Sequence, residues 1–414
     1  KELFKKTIKN RSVSLSILVI VHIILILLFI NSFSPSYSYI NNKYGSPDAD
    51  NYVTMAKQLI DKGVYGYSST ESNAYVTPSQ PLLVSGILII SKLFNFDDLM
   101  FLQFFNLLFS IGNIILIYLI SNKLFKNRNI AFLAGLLYSL YFPNVYYIRA
   151  ILTEIPTIFF MLLSILTFIK SYQNDRKIYH ILFSIFYAIT IMFRPALAPL
   201  LIVPIYLNLK KYGFIPGVKK LMLYLVGFVL VIMPWIIRNY VMFDNFFIFS
   251  SHGGNPMLAG TYPYYLEEFN FGEMERLGMG YNEYAKYRVI QGFKSDPKLY
   301  LSWFTVGKFM WLFGGPSKWI YYSDYYNNFT LFAYGLHFLI FFTALYAIYK
   351  YKQNKAIFNI GLLVIIYIII HLFFIAIDRF GYLMFPLFSI LSGYSIVMIL
   401  TNIKKRCNIK KQTK

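Results

Sequence analysis

The chain is a succession of long apolar blocks separated by short charged ones. Ser12 to Asn31 reads SVSLSILVIVHIILILLFIN, without a single charge, and one α-helix of about 20 residues spans a hydrocarbon core of about 30 Å. Similar segments follow at 79–95, 99–121, 129–148, 155–169, 178–193, 195–209, 221–237, 329–349, 356–376 and 380–400. The pattern predicts an all-α polytopic membrane protein. The opening KELFKKTIKNR has the charge of a signal peptide's start. The apolar run behind it is too long for an h-region of about 7–15 residues, and no small-x-small cleavage site follows. It reads as an uncleaved first span.

Charge sets the threading. Basic clusters lie at 1–11, 123–128, 170–177, 210–220, 350–355 and 404–414, and short cytoplasmic loops collect Lys and Arg. All six are cytoplasmic only if one of the three apolar segments before 123 does not cross. The weakest is 79–95, which carries Ser85, Ser91 and Lys92. It is expected to lie in plane at the outer interface. As one helix, 178–209 would measure about 48 Å, so a break is expected at Arg194-Pro195. The result is about ten transmembrane helices with both termini cytoplasmic, and two large outer loops.

The clusters hold 24 of the 39 basic residues but only Glu2 and Asp175 among the 18 acids. The net charge of +21 is therefore topology and attraction to anionic lipid, and nucleic acid is not the expected partner. With 14% charged residues, against about 25% in soluble domains, a water-soluble enzyme is excluded. The single cysteine, Cys407, rules out an intrachain disulfide. No P-loop, Rossmann fingerprint, H-E-x-x-H or G-x-S-x-G motif is present.

No Asp, Glu, Lys or Arg falls inside the ten expected spans. His22, His337 and His371 are titratable candidates within them, and such histidines are expected to be packed core residues rather than proton carriers. The acids gather at the outer mouth instead, which favours surface chemistry over transport. In the first loop, PDADNY (47–52) leads into Tyr52, Met55, Ala56, Leu59 and Ile60 at helical spacing, ended by Gly63. Asp50 suits either an N-cap or a catalytic acid. Asp48 is not explained by that cap, and reads as a general base or metal ligand. Glu154 stands where the chain re-enters the membrane, as a helix-start acid or a site carboxylate, with Arg149 close enough in sequence to pair with it.

Four arginines, 149, 194, 238 and 379, mark the outer ends of spans. Each serves either as an interfacial anchor or as a bidentate phosphate ligand. The second loop adds SSHGGNP (250–256). A helix follows Pro297, with Leu299, Trp303, Val306, Met310 and Phe313 on one face and Lys298, Ser302, Thr305 and Lys308 on the other. It is expected to lie in plane, with Trp303 and Trp311 at headgroup level.

PDADNYVTMAKQLIDKGVYGY, YVTPSQPLLVSGILI, LTEIP, FRPALAPLLIVP, PWIIRNYVMFDNFFIFSSHGGN and DRFGYLMFP occur in an order and sidedness that resemble the GT-C superfamily of polyprenyl-phosphate-sugar-dependent glycosyltransferases. The branch they look like is the protein O-mannosyltransferase and lipid A aminoarabinose transferase group. The resemblance implies an N-terminal seven-helix module over 1–237 with its first outer loop at 33–98. A large outer loop at 238–328 and a C-terminal three-helix segment with a basic tail at 329–414 complete the division. It implies Asp48 as the essential acid, with Asp50 beside it. Tyr52, Tyr75, Arg149, Glu154, Arg238, Asn239, His252 and Arg379 become substrate-binding candidates, and Asp48 with Glu154 the ligands of a divalent cation if one is used. Many relatives have adjacent acids where this chain has Asp48-Ala49-Asp50. The aminoarabinose enzymes have a lysine where Thr77 precedes Pro78.

The implied reaction is inverting transfer of a monosaccharide from a polyprenyl-phosphate donor to a glycan, lipid or protein acceptor, on the outer face of a cell-envelope membrane. A polysaccharide polymerase or ligase of related architecture is the alternative, and a lipid-linked sugar flippase a weaker one. The threading has its own test. In a Cys407→Ser background, single cysteines at Asn95 and Asn122 are expected to label from opposite sides of the membrane, and labelling from one side would overturn it.

Overall fold

The computed structural model describes residues 11–30, 34–35, 42–251, 254–267, 269–316, 320–321 and 327–412. Its helices run α1 (Arg11–Phe29), α2 (Pro47–Lys62), α3 (Ser79–Phe94), α4 (Asp98–Phe125), α5 (Arg128–Ser139), α6 (Pro143–Arg149), α7 (Glu154–Asn174) and α8 (Lys177–Phe193). A 3-10 segment, Pro195–Leu201, leads into α9 (Ile202–Tyr212) and α10 (Phe214–Phe243). The segment between α10 and α16 folds as α11 (Gly254–Ala259), α12 (Phe271–Arg276), α13 (Tyr281–Ser295), α14 (Pro297–Ser302) and α15 (Lys308–Phe313). The chain closes with α16 (Asn327–Lys350), α17 (Lys355–Phe373), a single turn α18 (Asp378–Gly381) and α19 (Phe385–Gln412). Among the described residues the one extended pairing is Ser34–Pro35 against Ile320–Tyr321, which ties the segment after α1 to the one before α16.

Seven helical stretches are long and apolar enough to cross a membrane: α1, α4, α7, α10, α16, α17 and the run from α18 through α19. The pair α5–α6, bent by 60°, makes an eighth if it counts as one span. Ten crossings would require α8, and the 3-10 segment with α9, to cross as well. At 1.5 Å per residue, α8 reaches only about 26 Å. The bend departs from the continuous span expected over 129–148. Its cause is Pro143, which has no N–H for the preceding turn and opens a new helix at its first position. The expected break at Arg194 is present: α8 ends at Phe193, and Arg194 is extended at φ −143°, ψ 92°.

The span histidines are core residues, as the sequence suggested. His22 bonds Ser110 Oγ at 2.9 Å and the Ser139 carbonyl at 3.3 Å. His337 lies between the Tyr141 hydroxyl and the Phe313 carbonyl, both at 2.9 Å. His371 Nδ1 meets the Tyr367 carbonyl at 2.9 Å. Each ring thus answers a polar group that apolar surroundings would leave unpaired.

Helix α2 begins earlier than expected, and this corrects the capping assignment. Ser46 is the N-cap, its Oγ accepting from Ala49 N at 3.2 Å, and Pro47 takes the first helical position. Asp50 is therefore not the N-cap. It accepts from Tyr44 N and Asn42 Nδ2, both at 2.8 Å, and fastens the incoming loop to the helix. Just before the helix, Gly45 sits at φ +104°, and a Cβ there would lie 2.9 Å from Ala150. That close approach lets Ile151 N donate to the Tyr44 carbonyl at 3.0 Å. Gln80 of α3 holds the same turn through the Leu152 carbonyl at 3.2 Å. The segment that carries α2 and α3 is thereby pinned to the turn that starts α7.

The helix after Pro297 also departs from expectation. A π turn at Trp303–Gly307 separates α14 from α15, and its extra residue rotates everything beyond it. The single apolar face from Leu299 to Phe313 does not form. Trp303 and Phe313 are buried, while Val306 and Met310 are 65% and 52% exposed. Trp303 does not lie on an exposed face. It is packed inside, its Nε1–H donating to the Gly260 carbonyl at 2.9 Å. Lys308, placed on the polar face by spacing, is fully buried.

Candidate active site

Four charged side chains from distant parts of the sequence form one connected chain. Asp48 projects from the first turn of α2, Glu154 from the first turn of α7, Arg194 from the break after α8, and Arg379 from α18. Arg379 Nη1 donates to Asp48 Oδ2 at 2.7 Å, and its Nε donates to Glu154 Oε1. Arg194 Nη2 donates to the same Glu154 oxygen, and its guanidinium stacks over Phe380, 4.8 Å from the ring centre. Glu154 is 0% exposed. A carboxylate so placed needs charged donors to offset its lost hydration, and the start of α7 adds a favourable dipole. Two acids and two arginines make the cluster neutral.

Tyr67 completes the setting of Asp48, its hydroxyl donating to Oδ1 at 2.9 Å. The Tyr67 ring stacks on Tyr75 at 5.3 Å and meets Tyr52 edge-on at 5.6 Å. The two expected tyrosines thus frame a third that spacing did not reveal. Burial, and then the Asp48 charge, push the Tyr52 hydroxyl up to about 12, so it remains protonated. Burial opposes ionisation of Asp48, but Arg379, Tyr67 and Arg194 outweigh it and hold the carboxyl below its ordinary value.

The other expected site residues separate into distinct roles. Arg238 does not join the cluster: Nη1 donates to the Asn73 carbonyl at 2.9 Å and to Asn239 Oδ1 at 2.8 Å. Its guanidinium lies over Tyr65, Trp235 and Phe243, at 4.9, 5.2 and 5.0 Å. Asn239 is buried and donates to the Phe247 carbonyl at 3.3 Å. This pair ties the loop after α2 to the end of α10. Arg149 ends α6, and its carbonyl accepts from Gln103; Glu154 is taken by Arg194 and Arg379 instead. His252 lies outside the described residues. Asp378 receives the Arg379 backbone N–H at 2.8 Å, which leaves the guanidinium to the acids.

Two cavities flank the cluster. One, of about 470 Å³, is lined by Asp48 and Arg379 with Tyr146, Tyr147, Tyr265 and Trp311. The bend at Pro143 is what turns Tyr146 and Tyr147 into it. The other, of about 490 Å³, has Arg194 at one end and an apolar lining that includes Pro199, Ile370, Phe374 and Leu383. Ile375 lines both.

A divalent cation does not fit between Asp48 and Glu154. The Arg379 guanidinium already bridges them, and Tyr67 holds the other Asp48 oxygen. Glu154 Oε2 has no hydrogen-bond partner among the described residues, but two guanidinium ions on the same carboxylate repel a metal. Among the described residues no three His, Cys, Asp or Glu side chains gather as metal ligands.

The architecture matches solved structures over nearly its whole length. The oligosaccharyltransferase of Archaeoglobus fulgidus in the apo form superimposes with a TM-score of 0.55 at 12% identity, covering 97% of this chain and 52% of that one. AglB from Archaeoglobus fulgidus, in complex with an inhibitory peptide and a dolichol-phosphate, gives 0.56 at 14% identity, over 96% and 52%. ArnT from Cupriavidus metallidurans, bound to undecaprenyl phosphate, gives 0.56 at 11% identity, over 93% and 60%. The chain has a GT-C glycosyltransferase fold. Residues 79–237 match the family described as dolichyl-phosphate-mannose-protein mannosyltransferase. No curated protein sequence matches. The chain spans between half and three fifths of the length of the solved structures it resembles.

The buried pairing makes a stability prediction. Glu154→Ala leaves two arginines without their shared counterion, and is expected to cost about 3–5 kcal/mol. Because the folded Asp48 titrates below its unfolded value, its contribution is present above an ordinary carboxyl pKa of about 3.9. That contribution fades as pH falls through the lower folded value. Thermal unfolding of purified wild type, Glu154→Ala and Asp48→Asn between pH 3 and 7 checks both. Asp48→Asn is expected to be less stable than wild type near pH 7 and to converge with it toward pH 3.

Proposed function

We propose that this protein is an integral-membrane glycosyltransferase. It moves a monosaccharide from a polyprenyl-phosphate donor to an acceptor hydroxyl at the extracytoplasmic face, with inversion, while both termini face the cytoplasm. The observation that carries this reading is the placement of the Asp48–Arg379–Glu154–Arg194 chain between an aromatic cavity and an apolar one. The GT-C fold, and neighbours solved with dolichol-phosphate and undecaprenyl phosphate, support it.

The donor's isoprenoid tail lies in the apolar cavity, with its phosphate at Arg194 and Arg379. The sugar stacks among Tyr146, Tyr147 and Trp311 in the aromatic cavity, where the acceptor hydroxyl meets Asp48. The acceptor oxygen attacks the anomeric carbon from the face opposite the phosphate. A carbon–oxygen bond forms there, the bond to the phosphate oxygen breaks, and the electron pair leaves with the lipid phosphate. The acceptor proton passes to Asp48, and the two guanidinium groups stabilise the leaving charge. Where the aminoarabinose enzymes have a lysine and this chain has Thr77, the two arginines supply the cationic contact.

In the resting site Asp48 is a poor base, because Arg379 holds its charge. A phosphate that engages Arg379 competes with Asp48 for the guanidinium and raises the basicity of the freed carboxylate. Donor binding and activation of the base are then one event.

The test is to incubate the purified protein with a panel of polyprenyl-phosphate sugars and acceptors, and to measure the lipid phosphate released and the anomeric configuration of the product. Release with inversion is expected, and it should persist in EDTA. Retention of configuration, or loss in EDTA restored by a divalent cation, would overturn the arginine mechanism. Asp48→Asn should lower the rate about 10²–10⁴-fold. On folded protein, Arg379→Ala should weaken donor binding by about 1.5–3 kcal/mol and Arg379→Lys by less. An unchanged dissociation constant removes the phosphate role.

A further inference from the structure

We propose that Lys308 is a positioning residue for transfer: it fastens the segment 374–377, the wall between the two cavities, and through it sets Arg379. The proposal rests on the reading of the site given above.

Lys308 opens α15 and is fully buried. Its Nζ donates to the carbonyls of Leu372 at 2.7 Å and Phe374 at 2.9 Å. The ammonium lies 4.3 Å from the Phe304 ring centre and 5.7 Å from that of Trp303. No carboxylate pairs with it among the described residues, and burial pushes it down to about 7. An unpaired buried cation is costly, and a methionine would fill the same space without that cost. What the lysine adds is two hydrogen bonds, one to the Leu372 carbonyl in the last turn of α17, where the helix dipole is negative and carbonyls lack intrahelical partners, and one to the Phe374 carbonyl just beyond the helix.

Those carbonyls begin the stretch on which the site depends. Ile375 lines both cavities, Ile377 lines the aromatic one, and Arg379 follows two residues later. The outer loop grips this stretch at further points. Ile375 N donates to the Pro256 carbonyl at 2.8 Å, and the Tyr265 hydroxyl to the Ala376 carbonyl at 3.2 Å. A Cβ on Gly260 would lie 2.5 Å from the Phe374 carbonyl carbon. Tyr265 reaches its partner from a left-handed backbone, φ 53°, beside Tyr264 at φ 52°, a strained pair that this packing sustains. Of these fastenings only Lys308 can carry a charge near neutral pH.

Loosening the wall should therefore misplace Arg379 relative to Asp48 while leaving Arg194, which Glu154 holds from the break after α8, in place. The experiment compares Lys308→Met and Lys308→Arg with wild type in the full-length purified protein. It reads hydrogen–deuterium exchange across 372–380, together with kcat and donor KM for lipid-phosphate release. Lys308→Met is expected to exchange faster there and to lose about 10- to 100-fold in kcat, with donor KM raised by a smaller factor because Arg194 still holds the phosphate. Lys308→Arg, which keeps the charge and the donors, should restore most of both. Wild-type exchange and kcat in Lys308→Met would overturn the proposal, as would faster exchange with normal kcat. If Lys308→Met does not fold, Lys308→Gln takes its place, and normal kcat in that variant is equally fatal. Wild-type silence toward every donor sinks the transfer reading instead, and the exchange arm then judges the fastening alone.

Discussion

The Arg379 guanidinium holds two carboxylates that no other feature would bring together. Asp48 and Glu154 are separated by four helices, and Arg379 comes from the start of the last span. A fully buried Glu154 is tolerable only because both Arg379 and Arg194 donate to it. The local devices nearby serve that meeting: Gly45 lets the first loop lie against Ala150, Gln80 holds the turn before α7, and the break at Arg194 aims its side chain inward. A planar fork with several donors suits two acids at once, whereas a lysine would offer only a point charge.

Much of this was legible in the sequence because charges are rare in it. When apolar blocks dominate, an acid or an arginine at the end of a block stands out, and Asp48, Glu154, Arg194 and Arg379 were all visible for that reason. What the pattern could not give was azimuth. Arg194 and Arg238 both mark outer ends of spans, but only the bundle's packing decides which faces Glu154 and which folds over Tyr65 and Trp235. The same gap hid Tyr67, which approaches Asp48 from a loop. Spacing misled outright where the helical period changed. The π turn at Trp303–Gly307 carried Lys308 inward, and Pro143 split an apolar block that read as one span. Asp50 looked like a cap because the helix was expected to begin there, whereas Ser46 and Pro47 begin it.

The neutrality of the cluster has chemical consequences. Two arginines and two acids at a membrane interface need no outside counterion, so the empty site is stable as it stands. The same balance ties up both the cationic donors and the base. An anion entering from the apolar cavity finds Arg194 first, since that residue lines it, and Arg379 lies on the far side. To reach both, it must draw Arg379 away from Asp48, and only then does Asp48 recover the basicity that the ion pair suppresses. Glu154 keeps its hold on both arginines throughout, fully buried and on the side away from the acceptor. In the proposed transfer it sets the geometry and Asp48 takes the proton, so the two acids are not interchangeable there. An acid to protonate the leaving group is unnecessary when that group is a phosphate already neutralised by guanidinium. The chemistry can therefore proceed with one working carboxylate.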